Sequence, residues 1–533
     1  MLNTDIRFAL EYHEATKHSE LSIRMSPSYL DLDNMPRPFK VYTKLPSISL
    51  PRDFPRPELR ALESISSIEP VHLAKGIDIA TLAEVLFFSA GLTREVKSSS
   101  GPFYMRAAPA TGALYPIELY VICQDIPGLK AGVYHFCPAD FSLTELRLGD
   151  YRAELGGAAG GSQMITSAPV TIAYTSIAWR NSWKYETRSY RHWFWDSGVI
   201  AANLLATSIS VGLPAFIIMG FEDSRVNRLL CLDEEHEATV ALAPIGIGLG
   251  DPPQLVPKAI PSLNPEFLPL SKEEVNYPEI WKIHEASSLA SESDVKAWVN
   301  SARGFKPHPP TLKGSGYPLH PLADEPSDTP SLWEVILRRG STRQFAKLSI
   351  SFAQLSTILH SSTRGVTADF ITRTGDSIVD IYLIANAVDG LPSGSYFFNP
   401  QADSLEQLRS GSLRNIASYL CLEQPLFGDA SAAFFIMTNL GQVLMHYGNR
   451  GYRVAQFEAG VIAGKIYLSA YAQGMGASGS TFYDDAVTEF FSPHAMDKRT
   501  MIAVAVGLPN YKARVGKILV GVLTKTQLLA NKY

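Results

Sequence analysis

Cysteine is scarce: the 533 residues hold four, Cys123, Cys137, Cys231 and Cys421. They lie far apart with no C-x-x-C pair. That excludes a disulfide framework and a cysteine zinc site, and leaves reduced, buried thiols as the expectation. Positive charge is also short, with 47 Lys and Arg against 52 Asp and Glu and a net charge of -5. Nucleic-acid binding has no electrostatic footing there. No uninterrupted apolar run reaches about 18 residues, so no membrane span is expected. The opening MLNTDIRFALEYHEATKHSE carries acids and histidines and does not read as a signal peptide, so a cytoplasmic location is the expectation. The 12 histidines contain no H-E-x-x-H, and the chain has neither a G-x-S-x-G elbow nor a Walker A loop. The glycine run at 156–161 lacks a strand–helix frame and reads as a loop.

What is present is a repeat. The chain is too long for one hydrophobic core, and its 46% hydrophobic and 19% charged residues suit a folded soluble protein. IELYVICQDIPGLKAGVYHF aligns with VDIYLIANAVDGLPSGSYFF, and SYRHWFWDSGVIAANLLATSISVGL with GYRVAQFEAGVIAGKIYLSAYAQGM. Tyr120 and Tyr382, Gly132 and Gly394, Arg191 and Arg453, and Gly198 and Gly460 all stand 262 positions apart. One register held across two separate segments marks a tandem duplication. Two copies of this size point to a fused pseudo-dimer rather than a solenoid. We expect a first domain at 1–251, a proline-rich linker at 252–330 and a second domain at 331–533. The linker segment holds 14 of the 35 prolines and reads as an extended connector, with one short helix in SESDVKAWVNSARG.

Each copy shows the same order. An apolar-spaced helix (TLAEVLFFSAGL; QLSTILHSS) precedes a strand (IELYVIC; VDIYLIA), a Gly turn and a second strand (GVYHF; GSYFF). A buried strand follows (APVTIAYTS; AAFFIMTN), then a long helix from about Tyr190 or Tyr452, then a late strand (TVALAPIGI; MIAVAVGL). The pattern predicts an α+β fold, a mixed or antiparallel sheet covered by helices.

Three strings carry chemistry. Arg339-Gly340-Ser341-Thr342-Arg343 sets two guanidiniums and a hydroxyl at alternate positions of an extended turn, where they can grip a phosphate; a solvated basic helix end is the alternative. Pro109-Ala110-Thr111-Gly112 is a small-residue loop that lets backbone amides approach a flat ligand, or is a plain turn. Lys184-Tyr185 can do acid–base work if burial or neighbouring charge shifts the pair. A lysine base must be largely desolvated to be neutral near pH 7. The aromatic cluster Trp193-Phe194-Trp195 belongs to core packing or to a pocket wall.

These segments resemble the nitroreductase-like flavoprotein superfamily, and within it the SagB/ThcOx-type azoline dehydrogenase branch. RAAPATGALYPIELYV, GLKAGVYHF and both long-helix segments carry the resemblance over most of both copies, and the R-x-S-x-R string is similar to the superfamily's FMN-phosphate motif. The resemblance implies FMN as cofactor, with Arg339, Gly340, Ser341 and Arg343 on its phosphate and Lys512 or Arg514 as a late basic contact. It places the Gly479-Ser480 turn against the flavin N5, Pro109 to Gly112 against the ring, and Lys184-Tyr185 at the branch's catalytic pair. In this family two subunits build each site. Here the first copy lacks R-x-S-x-R, while the second has Thr372 to Ser377 for the loop and His446-Tyr447 for the Lys-Tyr pair. One composite site and one degenerate site per chain are therefore expected. The implied activity is oxidation of a heterocycle, azoline to azole, on a small-molecule or modified-peptide substrate, alongside biosynthetic partner enzymes and with possible self-association. An NAD(P)H-dependent nitro or quinone reductase, or a non-catalytic subunit, are the alternatives.

Overall fold

Two long helices, Ser189–Ser210 and Arg450–Ala472, form the centre of the molecule. Both carry apolar residues on every face, and the second has no exposed residue along its 23 positions. A helix of that kind has to be buried on every side. Their crossing explains the paired glycines. A Cβ on Gly460 would lie 2.6 Å from the Trp195 carbonyl oxygen, and one on Gly198 would fall still closer to that of Phe457. Backbone meets backbone there, and no larger residue fits.

The computed structural model describes residues 2–25, 30–74, 76–98, 101–248, 260–302, 304–305, 316–322, 329–372 and 376–530. On one side of the helix pair lies a six-stranded sheet ordered Ser47–Ser49, Ser142–Leu148, Gly132–Cys137, Ile117–Cys123, Val170–Ile177, Glu237–Ile245. On the other lies a seven-stranded sheet ordered Gly476–Ser480, Arg499–Gly507, Ala432–Thr438, Asp380–Ala385, Gly394–Asn399, Ser404–Ser410, Gly316–Pro318. Every neighbouring pair in both is antiparallel. The ladders keep the repeat register: Tyr120 faces Ala173 and Tyr382 faces Phe435. All the strands and helices expected of each copy are present, and each copy brings one long helix to the shared core. The glycine run is not wholly loop, because Gly156 and Gly157 close the helix Arg152–Ala158.

The segment 252–330 is not an extended connector throughout. Residues 249–259, 306–315 and 323–328, which include most of KPHPPTLKGSG, lie outside the described residues. Between them stand two helices, Pro278–Ala286 and Glu292–Ala302. The second is the helix expected from SESDVKAWVNSARG. The first extends the duplication. His284-Glu285-Ala286-Ser287 repeats His13-Glu14-Ala15-Thr16, at a spacing of 271 instead of 262. The two strings make the same contacts. Arg191 donates to the His13 carbonyl at 2.9 Å and to Thr16 Oγ1, while Arg453 donates to the His284 carbonyl at 2.5 Å and to Ser287 Oγ. Each arginine also pairs across the copies, Arg191 with Asp484 and Arg453 with Asp223. Second-copy structure thus begins well before residue 331. A nine-residue difference in the intervening length hid the match.

Candidate functional site

A cavity of about 1780 Å³ opens between the copies. Thirteen of the fourteen expected site residues line it: Pro109, Ala110, Thr111, Gly112, Lys184, Tyr185, Arg339, Gly340, Ser341, Arg343, Gly479, Ser480 and Arg514. Lys512 is exposed and outside the wall, so of the two alternatives the geometry favours Arg514, and Lys517 lines the cavity nearby.

The first copy contributes the loop. After strand Gly101–Arg106 the chain turns through Thr111–Ala113, with Gly112 at φ 62. That left-handed angle favours glycine, and a Cβ there would sit 2.6 Å from Tyr185 Oη. Asp196, on the first long helix, anchors the loop: Thr111 N–H and Oγ1 donate to its carboxylate at 2.9 and 2.8 Å. Burial pushes the Asp196 carboxyl up to about 7 against those two hydrogen bonds. Its second-copy equivalent, Glu458, accepts from Ile378 N–H at 2.9 Å, and burial lifts it to about 8. Acidic residues 262 apart were legible in the sequence, and the loop-anchoring role was not.

Tyr185 is half-buried, and burial followed by the Asp196 charge raises its phenol to about 12, against the opposing charge of Arg343. The first copy's phenol and the second copy's arginine therefore share one electrostatic space. Lys184 is exposed, its Nζ 5.3 Å from the Tyr185 ring centroid. The desolvation required of a lysine base is not found. Lys184 stands in the last turn of Ala178–Tyr185, exposed at the cavity wall.

The second copy contributes Arg339 to Arg343, beyond helix Leu332–Arg338, which starts in a Ser331/Glu334 capping box. The three polar groups do not fan out together as an open claw. Arg339 is buried and donates to the carbonyls of Ala107 at 2.8 Å and Arg106 at 2.7 Å in the first copy. Arg94 of the first copy answers by donating to the carbonyls of Arg338 and Arg339 at 2.8 and 2.9 Å. These reciprocal staples close the cavity floor. Arg343 is exposed to the cavity, its backbone N–H held by Tyr511 Oη at 3.1 Å. Ser341 Oγ lies 3.5 Å from Tyr467 Oη, and Tyr467 Oη also accepts from Gly479 N–H. The Gly479 amide is thus already engaged. Trp195 lines the cavity and donates to Gln456 at 2.5 Å, whereas Trp193 is wholly buried against Tyr190, Trp281 and His284. The aromatic cluster therefore divides between wall and core.

Among the described residues, the pseudo-symmetric location is filled. At the 262-residue spacing Ile217 corresponds to Gly479, so a buried branched side chain stands where the cavity has glycine, and its N–H donates to the Thr367 carbonyl at 2.8 Å. The neighbouring Met219 and Gly220 amides donate to Asp369 at 3.0 and 2.8 Å. Tyr447, the equivalent of Tyr185, donates to the Phe370 carbonyl at 3.0 Å. The segment after Glu292 covers it: Trp298 donates to the Tyr447 carbonyl, Ser301 to that of His446, and Phe305 packs on both rings. Of the loop expected at Thr372 to Ser377, residues 373–375 lie outside the described residues.

The geometry defines a fused two-fold dimer with an interfacial pocket walled by cations, small residues and a phenol. The chain belongs to the nitroreductase family, whose model matches residues 69–247 and 336–508. A nitroreductase-family crystal structure from Anabaena variabilis superposes over 94% of this chain and 99% of its own, with a TM-score of 0.73 and 25% identity. Among curated relatives, nitroreductase-family protein MJ1384 of Methanocaldococcus jannaschii is 26% identical over 170 residues, 32% of this chain and 81% of its own length. The trifolitoxin-processing protein TfxB of Rhizobium leguminosarum bv. trifolii is 31% identical over 171 residues, 31% of this chain and 45% of TfxB. The match thus spans less than half of that relative.

Proposed function

We propose that this protein is an FMN-dependent oxidoreductase with one flavin per chain, acting as a dehydrogenase on a carbon–nitrogen heterocycle, azoline to azole, in peptide natural-product assembly. The observation that carries the reading is a cavity of about 1780 Å³ to which both copies contribute. The first copy brings a loop with left-handed Gly112 under Tyr185, and the second brings cavity-facing Arg343 and Arg514. The donor set fits a flat ring with an anionic tail. Small residues allow close approach of a ring, and guanidiniums with a hydroxyl suit a phosphate. Similarity to a trifolitoxin-processing protein supports the peptide-pathway setting, and with it partner enzymes and a modified-peptide substrate.

A bound flavin supplies the hydride chemistry, and the protein supplies orientation and proton handling. Ser341, Arg343 and Arg514 would hold the phosphate, with Arg339 shaping the floor through its staples. Tyr185 keeps its proton across the physiological range and serves as a hydrogen-bond donor or acid at the substrate. Loss of a hydride from the ring must be matched by loss of a proton, and Lys184, on the cavity wall beside Tyr185, would accept it. The filled second location supports a stoichiometry of one.

The test is flavin content and reactivity. The chain, purified and reconstituted with FMN, is expected to bind one equivalent and to oxidise a thiazoline-containing peptide with oxygen as acceptor. Two bound flavins would overturn the composite site. Anaerobic bleaching of the flavin by NAD(P)H, without turnover of the thiazoline, would replace the dehydrogenase with a nitro or quinone reductase. Failure to take up FMN at all would leave a non-catalytic subunit.

A further inference from the structure

The first long helix carries a histidine that the roles above do not use. His192 is 2% exposed and lines the cavity, its ring between Tyr185 and Trp195 at centroid distances of 4.8 Å to each. Its Nδ1 lies 2.5 Å from Asn181 Oδ1. The Asn181 amide is oriented by its other end, because Nδ2 donates to the Thr111 carbonyl, which can only accept. Oδ1 must therefore face the histidine, and Nδ1 must carry the hydrogen. The chain of bonds from the loop fixes the tautomer and leaves a lone pair on Nε2. Burial, then the charges of Arg188 and Arg191, holds the ring neutral. Two other histidines show the contrast: His13 Nε2 and His135 Nδ1 are sealed in the core without partners, whereas His192 Nε2 opens on the cavity.

The duplication supplies independent support. At the 262-residue spacing, Asn181 corresponds to Val443 and His192 to Val454, both buried. Both polar partners are present beside the open cavity, and both are valine beside the filled one. Packing of the two helices does not require the pair, since the second copy packs the same elements without it.

We infer that His192 and Asn181 form a substrate-recognition dyad, in which Asn181 fixes the imidazole and Nε2 accepts a hydrogen bond from an N–H or O–H donor of the substrate. This rests on the reading of the cavity as a flavin and substrate site. The acceptor stands next to the Tyr185 hydroxyl, a donor, so the wall presents one of each. It selects a substrate with a donor near the reacting carbon and disfavours one lacking it, because a desolvated acceptor left unpaired is costly.

The FMN-loaded chain is treated with diethyl pyrocarbonate at neutral pH and mapped by peptide mass spectrometry. Exposed His72 and His320 report that the reagent is active, and His13 and His135 report that the core stays closed. Carbethoxylation of His192 is expected with flavin in place. An unmodified His192 beside modified His72 and His320 would overturn the dyad. His192→Val and Asn181→Val should both retain FMN and melt like the wild type, since valine already occupies the equivalent sites. With a thiazoline peptide, His192→Val should raise KM about tenfold, the worth of one hydrogen bond, with kcat little changed. An unaltered KM would also overturn the proposal. A wild type that binds no FMN, or turns over no thiazoline peptide, would instead count against the function proposed above.

Discussion

Replacing Asp196 with asparagine should make the protein more stable at alkaline pH and leave it nearly unchanged in acid. Asp196 is 3% exposed, and its carboxyl sits at about 7 in the fold against an ordinary value of 3.8. A carboxyl raised in this way binds its proton more tightly folded than unfolded. Its contribution is fully present below pH 3.8 and is lost as pH rises through about 7. A shift of this size corresponds to about 4 kcal/mol at most between the two limits. Asparagine cannot ionise and still offers Oδ1 to Thr111 N–H, at the cost of about 1 kcal/mol for a weaker acceptor. The gap between variant and wild type should therefore open by several kcal/mol from about pH 4.5 to about pH 8.5. Thermal unfolding followed by circular dichroism at constant ionic strength would show it as diverging melting curves. Glu458 at about 8, Asp369 at about 6 and Glu84 at about 7 tilt the wild-type profile the same way, so the difference between the two proteins is the informative quantity. Parallel pH profiles would refute the idea that burial keeps this loop anchor protonated.

Six further substitutions probe the same architecture. Gly112→Ala forces a side chain into a left-handed angle and against Tyr185 Oη, so it should cost about 1–2 kcal/mol from the angle alone and lower FMN affinity, as read by flavin fluorescence titration. Arg343→Ala and Arg514→Ala should each weaken FMN about tenfold or more through loss of a charge-assisted hydrogen bond, while Lys512→Ala, off the cavity wall, should not. Asp484→Ala strands Arg188 and Arg191 in the core and should destabilise the chain by about 3–5 kcal/mol in denaturant titration, with Asp223→Ala doing the same to Arg450 and Arg453. Because burial is outweighed by Arg450 and Arg453, the Asp223 carboxyl is held down at about 2. Its stabilisation is present above the ordinary carboxyl value and is lost as acid approaches pH 2.

The sequence by itself determined the framework. A single 262-residue register announced two copies, and period-two and helical patterns located the sheets and the long helices, because those signals are local. The glycines at 198 and 460 were legible as a matched pair, and the structure shows why they are matched: two backbones cross there. The composition of the cavity was also legible, since complementary losses in the two copies left one complete set of parts. Tertiary structure decided how those parts are used. Arg339 staples the first copy rather than standing free, because its guanidinium reaches the carbonyls of Arg106 and Ala107. Lys184 faces water, so its place beside Tyr185 in sequence does not make it a buried base. Asn181 and His192 become a pair only when two helices pack, and Ile217, Tyr447 and Phe305 meet at the second location only through tertiary contacts. The repeat sets which side chains are available. Packing sets their solvation and partners.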